Sequence, residues 1–145
     1  MVDVGLATRA DRAVLLAARG LFDWPAREDW LDEFLNDPRH HLMLARRGND
    51  LLGFLSAVHY VHPDKAPEIF VNELGVLPPV RRQGIGTRLV AAVCAHGRRL
   101  GCACAWVLAD PKEEALSFYK SLNGQQKGEF IAMFTFDLTG DTAYG

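Results

Sequence analysis

Glu73 and Tyr119 are the side chains whose type and context best suit proton movement, and residues 81–86, Arg-Arg-Gln-Gly-Ile-Gly, are the stretch best suited to grip a phosphate. Glu73 interrupts an apolar run, Ile69-Phe70-Val71-Asn72-Glu73-Leu74-Gly75-Val76-Leu77. Strict alternation places it on the face of Ile69 and Val71, where a carboxylate either borders a cleft, reaches water at the strand end or pairs with an arginine. An amine acceptor is mostly protonated at neutral pH. A carboxylate whose pKa is raised by its surroundings can take that proton, directly or through a water. Tyr119 lies one helical turn from both Ala115 and Leu122, on the side of its helix expected to face a sheet. By itself it reads as a core tyrosine whose hydroxyl finds a backbone partner.

The turn is more specific. It reads R-x-x-G-x-G from Arg81 to Gly86, which is neither the Walker pattern nor the dinucleotide fingerprint. A basic, glycine-punctuated turn opening a helix suits a diphosphate. The first helical turn has free N–H groups and the positive dipole end, glycine lets a phosphate approach the main chain, and arginine adds charge-assisted hydrogen bonds.

The elements that must position these residues follow from periodicity. A first strand is expected over Val2, Val4 and Leu6. Thr8 caps a helix that carries Val14, Leu15, Ala18, Leu21 and Phe22 and ends near Asp23. A short second helix holds Trp30, Leu31, Phe34 and Leu35 with the acids Glu28, Asp29, Asp32 and Glu33, and Asn36-Asp37-Pro38 stops it. Strands are expected over residues 41–46, 51–60 and 68–77, with Pro78-Pro79 closing the last. Ile85, Leu89, Val93, His96 and Leu100 form one stripe of a long helix closed by Gly101. Residues 103–109, apolar throughout, read as a strand covered on both faces. Asp110-Pro111 then opens a helix ending at Gly124, and a last strand spans residues 130–138 before a loose polar tail over 139–145. The order β-α-α-β-β-β-α-β-α-β, with helices on both faces of a mixed, mostly antiparallel sheet, is an α+β class.

Size and charge bound the function. At 145 residues the chain is expected to form one domain. A net charge of −2 and a pI near 6.2 argue against a phosphate-driven nucleic-acid binder. No apolar run is long enough for a membrane span, and the start of the chain lacks a signal pattern, so the expected compartment is the cytoplasm. Cys94, Cys102 and Cys104 lack zinc-site spacing, and adjacent His40 and His41 point to opposite faces of a strand, so no metal is assigned.

Residues 81–86, between that strand and that helix, resemble the acyl-CoA pyrophosphate loop of the GNAT superfamily of N-acyltransferases, and Phe118-Tyr119-Lys120-x-Leu122 matches the family's segment after its fifth strand. The resemblance covers nearly the whole chain. It implies acetyl-CoA as cosubstrate, with Leu74, Val76 and Leu77 along the pantetheine arm and Arg81, Arg82, Gln83, Gly84, Ile85, Gly86 and Thr87 around the diphosphate. It further implies direct attack of the amine on the thioester in a ternary complex, Glu73 as base, and Tyr119 near the sulfur, protonating the leaving thiolate. Members are often homodimers.

Within the superfamily, Glu68-Ile69-Phe70-Val71-Asn72-Glu73-Leu74-Gly75-Val76, Leu100-Gly101, Ala109-Asp110, Ala115-x-x-x-Tyr119, Tyr60-Val61-x-Pro63 and Phe134-x-Phe136-Asp137 look like the aminoglycoside 3-N-acetyltransferase branch. That branch implies an acceptor site drawing on Glu28, Asp29, Tyr60, Glu73, Asp110 and Glu113, since a polycation needs carboxylates around it. Glu73 stands where the branch has an aspartate, Lys112 enters its acidic turn, and the N-terminal region is shorter. Two other readings stay open: acetylation of a polyamine, metabolite or peptide amine, or a CoA-binding sensor without turnover.

Overall fold

A computed structural model describes residues 1–128 and 131–140, and divides the chain into two compact units, Met1–Leu108 and Ala109–Gly145. In the first unit β1 (Asp3–Leu6) leads to a capping box. The Thr8 hydroxyl accepts from the Ala10 N–H at 3.3 Å, and the Asp11 carboxylate accepts from the Thr8 N–H at 2.7 Å. A single 3-10 turn passes into α1 (Arg12–Ala17), which ends well short of Asp23. Ala18 is already extended and Gly20 takes φ +73°, so Leu21 and Phe22 enter the core from a loop. After α2 (Glu28–Asn36) come β2 (His40–Arg47), β3 (Asp50–Tyr60) and β4 (Glu68–Val76). A 3-10 turn at Pro78–Val80 precedes α3 (Ile85–Arg99), and β5 (Cys104–Val107) completes the unit.

The five strands lie in chain order; β1 to β4 pair antiparallel and β4 pairs parallel with β5. Both faces are covered within this unit. Ile85, Leu89 and Val93 of α3 join Met43, Ala45, Leu55, Ala57, Ile69 and Val71 in one cluster. On the other face Leu15, Leu21 and Leu31 join Leu42, Leu44 and Phe54. Full burial of a side chain such as Leu89 or Leu15 is worth roughly 2 kcal/mol. β5 departs from the expectation of a central strand: it is an edge strand, and Cys104, Ala105 and Trp106 are exposed. An unbroken apolar run marks a strand buried on both faces only when other elements cover both.

The second unit contains α4 (Glu114–Ser121), which starts later than Asp110-Pro111 suggested. The Asp110 side chain accepts from the Lys112 N–H at 2.9 Å and its carbonyl from the Glu113 N–H at 3.2 Å, so these residues make a turn of their own and Glu113 becomes the N-cap. At the far end Asn123, with φ +64°, holds the left-handed position expected of Gly124. The strand expected over 130–138 is not formed by residues 131–138, and Phe130 lies outside the described residues. Ile131, Met133, Phe134, Phe136 and Leu138 stay exposed; alternating apolar residues become a strand only where a neighbour supplies ladder partners. Of the expected tail, residues 139–140 bend and residues 141–145 lie outside the described residues.

Candidate functional site

The site begins where β4 leaves β5. Their pairing runs from Glu68↔Cys104 to Val71↔Val107 and stops, while β4 continues to Val76. At that point β4 carries a bulge: Val71 pairs with Ala57 and Glu73 with Ser56, so Asn72 is the extra residue. The bulge corrects the expected facing of Glu73. Ile69 and Val71 point into the α3 cluster, but Glu73 falls on the face of its partner Ser56, shared with Phe54 and Leu42, under α1 and α2. The carboxyl reaches solvent but is partly desolvated. Burial first, and then the charge of Asp23 in the loop before α2, push its pKa up. Two residues on, Gly75 lies directly under Phe54. A β-carbon there would stand 2.6 Å from the Phe54 ring, so only glycine admits the ring at this height, edge-on to Phe22 at 4.7 Å.

Past the end of β4 the chain enters the basic turn. Arg82 (φ +60°) and Gly84 (φ +79°) both take left-handed backbone, and Gly84 is the N-cap of α3. No side chain caps that helix, so its first N–H groups stay available beside the exposed Arg81, Arg82 and Gln83. Alternating hands of backbone with successive N–H groups make an anion cradle, and the buried Ile85 anchors it to the core. Gly86 and Thr87 supply the second and third residues of the helix. At the strand end two main-chain groups are already engaged. The Arg81 Nε donates to the Val76 carbonyl at 2.9 Å, and the Leu77 N–H donates to the Leu52 carbonyl at 2.9 Å. Leu74 is half-buried on the stretch of β4 that β5 does not reach.

Of the acids expected around an acceptor, Glu28 and Asp29 are held by arginines. Glu28 lies 3.5 Å from Arg12, which also grips Asp32 with two hydrogen bonds. Asp29 holds Arg27 at 2.8 Å, and that guanidinium stacks over Trp30 at 3.8 Å. The arginine partners lower the pKa of Asp29 and Asp32. Tyr60 is also engaged. Its hydroxyl accepts from Trp106 Nε1 at 2.7 Å and faces Glu68 at 3.4 Å, and the Trp106 ring lies 4.4 Å from Phe70. Desolvation raises the pKa of Tyr60. Asp110, Glu113 and Tyr119 belong to the second unit, where Tyr119 is half-buried and its pKa is raised by desolvation.

Two features escaped sequence reasoning. Ser56 is buried, and its hydroxyl has no hydrogen-bond partner among the described residues. The sign was a lone hydroxyl in the apolar stretch Leu51-Leu52-Gly53-Phe54-Leu55-Ser56-Ala57-Val58. On the opposite face three histidines form a row: His96 Nε2 lies 2.9 Å from His41 Nδ1, and His41 Nε2 lies 2.8 Å from His59 Nδ1. Burial is the main reason that the pKa of His41 falls from 6.5 to about 4. Among the described residues no group of His, Cys, Asp and Glu is arranged to hold a metal ion, and no helix is long and apolar enough to cross a membrane.

Comparison with known proteins places this geometry. An aminoalkylphosphonate N-acetyltransferase of Salmonella typhimurium is 37% identical over 82 residues, covering 54% of this chain and 52% of that protein. The chain therefore spans about half the length of the curated relative it matches. Among solved structures, an aminoglycoside acetyltransferase from an uncultured soil metagenomic sample, in complex with sisomicin, superposes with a TM-score of 0.80. It is 20% identical, and the match covers 93% of this chain and 95% of that one. AAC(6')-Iy in complex with the bisubstrate analogue CoA-S-monomethyl-acetylneamine gives a TM-score of 0.77 at 20% identity, over 94% and 99% of the two chains. At such identity these two show the fold. Residues 12–124 match the acetyltransferase (GNAT) family, and the chain belongs to that family.

Proposed function

We propose that this protein transfers the acetyl group of acetyl-CoA to a primary amine of a small polycation, an aminoglycoside at its 3-amino group, by direct attack in a ternary complex. What carries this reading is the parting of β4 from β5 at the Asn72 bulge, with Glu73 beside the opening and the uncapped start of α3 beyond it. The donor set fits coenzyme A. The N–H groups of residues 82–87 and the two arginines match a diphosphate, and the open side of β4 offers main-chain partners to an extended amide arm. Bound there, acetyl-CoA supplies an activated thioester. Glu73, with its raised pKa, takes a proton from the acceptor ammonium and leaves the free amine as nucleophile. Family resemblance assigns Tyr119 the return of a proton to sulfur; its raised pKa keeps the phenol protonated for that role. For the Val76 carbonyl to receive the arm, Arg81 must let it go and turn to the diphosphate.

A second acceptor class has an observation behind it. Glu28, Asp29 and Asp32 of α2 are paired with arginines, and the curated relative is named for aminoalkylphosphonates. A small amine carrying an anionic group would compete with these carboxylates for Arg12 and Arg27, where a polycation would compete with the arginines for the carboxylates. One panel separates the two. Thiol release from acetyl-CoA is followed with sisomicin and other aminoglycosides, aminoalkylphosphonates, polyamines and peptides. Release with aminoglycosides and a product acetylated at the 3-amino group supports the first reading, and a 6'-acetylated product corrects its regiochemistry. Release with aminoalkylphosphonates alone selects the second. Tight CoA binding without release from any amine overturns both.

A further inference from the structure

The dipeptide Asp-Trp occurs twice after α1, in the loop at Asp23-Trp24 and in the first turn of α2 at Asp29-Trp30. The second copy holds a cation. The Arg27 guanidinium donates to the Asp29 carboxylate at 2.8 Å and lies 3.8 Å from the centre of the Trp30 ring. Carboxylate and indole together suit a cation, one by its charge and the other by its ring quadrupole. The first copy holds none. The Asp23 and Trp24 side chains make no hydrogen bond, ion pair or ring contact among the described residues, and Trp24 is 81% exposed. The loop nevertheless fixes where they stand. Leu21 and Phe22 before them and Ala26 after them join the cluster on this face, so only the tip Asp23-Trp24-Pro25 is in solvent. Phe22 meets the Phe54 ring that lies over Gly75, and Glu73 is one strand step, about 7 Å, along β4 from Gly75. Consecutive α-carbons are about 3.8 Å apart, so a carboxylate directly after Phe22 comes close to the β4 opening. Its charge acts on Glu73.

We propose that Asp23 and Trp24 form a subsite for a second ammonium group of the acceptor, one that stays charged while the amine beside Glu73 attacks the thioester. This rests on the reading of the acceptor as a polycation, and it names what the protein selects: at least two ammonium groups on one molecule. Glu28, Asp29 and Asp32 would have to release arginines to serve an ammonium, whereas Asp23 releases only water. The subsite also discriminates by sign. A small amine carrying an anionic group is repelled by Asp23, where a polycation is drawn to it. Asp23 and Trp24 bind and orient; proton removal stays with Glu73. The other charged or titratable groups on this face are His40 against Phe34, Arg12 with Glu28 and Asp32, Arg27 with Asp29, and Tyr60 with Glu68 at the far end. Among all of these, Asp23 is the one whose charge acts on Glu73.

The test compares Asp23→Asn, Asp23→Glu, Trp24→Ala and Trp24→Phe with the parent. The acceptor is the polycation that releases thiol fastest in the panel above, and its binding is also measured by calorimetry on protein saturated with CoA. Asp23→Asn is expected to raise both KM and the acceptor's dissociation constant about tenfold while kcat stays within about threefold. Trp24→Ala should raise the same two constants about threefold. Asp23→Glu and Trp24→Phe should recover most of the loss. Added salt should weaken acceptor binding less in Asp23→Asn than in the parent. Removing the Asp23 charge also lets the Glu73 carboxyl ionise more readily, so the acid limb of kcat/KM should move to lower pH. Melting temperature and the acetyl-CoA dissociation constant should not change, because both side chains are exposed and unpartnered among the described residues. If Asp23→Asn keeps the parent's KM and acceptor dissociation constant, the subsite is overturned and the polycation reading stands. A fall in kcat with both constants unchanged overturns it equally. If the parent releases thiol with no polycation, the reading and the subsite fall together.

Discussion

The two faces of the sheet are built from the same strands and finished differently. Under α3 the residues are apolar and closed, and the polar groups that enter, His41, His59 and His96, satisfy one another. Under α1 and α2 the apolar cluster is smaller. It meets a hydroxyl with no hydrogen-bond partner among the described residues and, at its edge, a solvent-reaching carboxyl whose pKa desolvation raises. One face holds the fold together, and the other carries local cost beside the proposed base. A one-residue bulge separates them: without Asn72 as the extra residue, Glu73 would point into the closed side.

The sharpest way to break this contrast is Glu73→Gln. It should lower kcat by about a hundredfold or more while melting temperature and CoA affinity stay put. A calorimetric titration beside steady-state kinetics reads all three, and equal activity across pH removes the base from this face. Leu89→Ala is the counterpart on the closed side. Leu89 is fully buried, so truncation should cost about 2–5 kcal/mol in urea unfolding and leave kcat per folded molecule near that of the parent. A large fall in kcat without loss of stability would merge the two faces.

Acid should act through the closed side. The folded pKa of His41, about 4, lies below its ordinary 6.5, so the unfolded chain binds the proton more tightly. The contribution of His41 is therefore complete above pH 6.5 and lost as pH falls from there toward 4, amounting to about 3 kcal/mol. Unfolding curves between pH 7.5 and 4 measure it, and His41→Asn should flatten the slope. An unchanged slope would mean that the histidine row does not hold His41 neutral. The smallest effect is expected from Glu28→Gln with Asp29→Asn. Both acids are exposed and tied to arginines, so the Michaelis constant for an aminoglycoside should rise no more than about fivefold. A larger rise would show that the arginines give way to the drug.

Much of this architecture was legible from periodicity and punctuation. Thr8 marked a helix cap, the stripe Ile85, Leu89, Val93 marked the buried side of α3, and Gly84 marked its start. What stayed hidden has physical causes. Alternation cannot reveal an extra residue in one strand, because a bulge is fixed by the partner's register, so Glu73 was read onto the wrong face. The apolar run around Trp106 looked central, since its cover depends on other segments. Carboxylates of α2 looked available to a cation because their arginine partners, Arg12 and Arg27, are set by tertiary and local geometry. The three histidines are far apart in the chain and meet only after β2, β3 and α3 pack together.

That row of imidazoles has a further consequence. A neutral ring carries one hydrogen on its two nitrogens, so His41 can offer a proton to only one neighbour while receiving from the other. Two self-consistent tautomer patterns result, one with every N–H aimed toward β3 and one with every N–H aimed back toward α3. A mixed pattern would set lone pair against lone pair, or hydrogen against hydrogen, at one junction. Whatever fixes the orientation at one terminal imidazole thereby dictates it at the other, which makes the row a single polar unit with a direction.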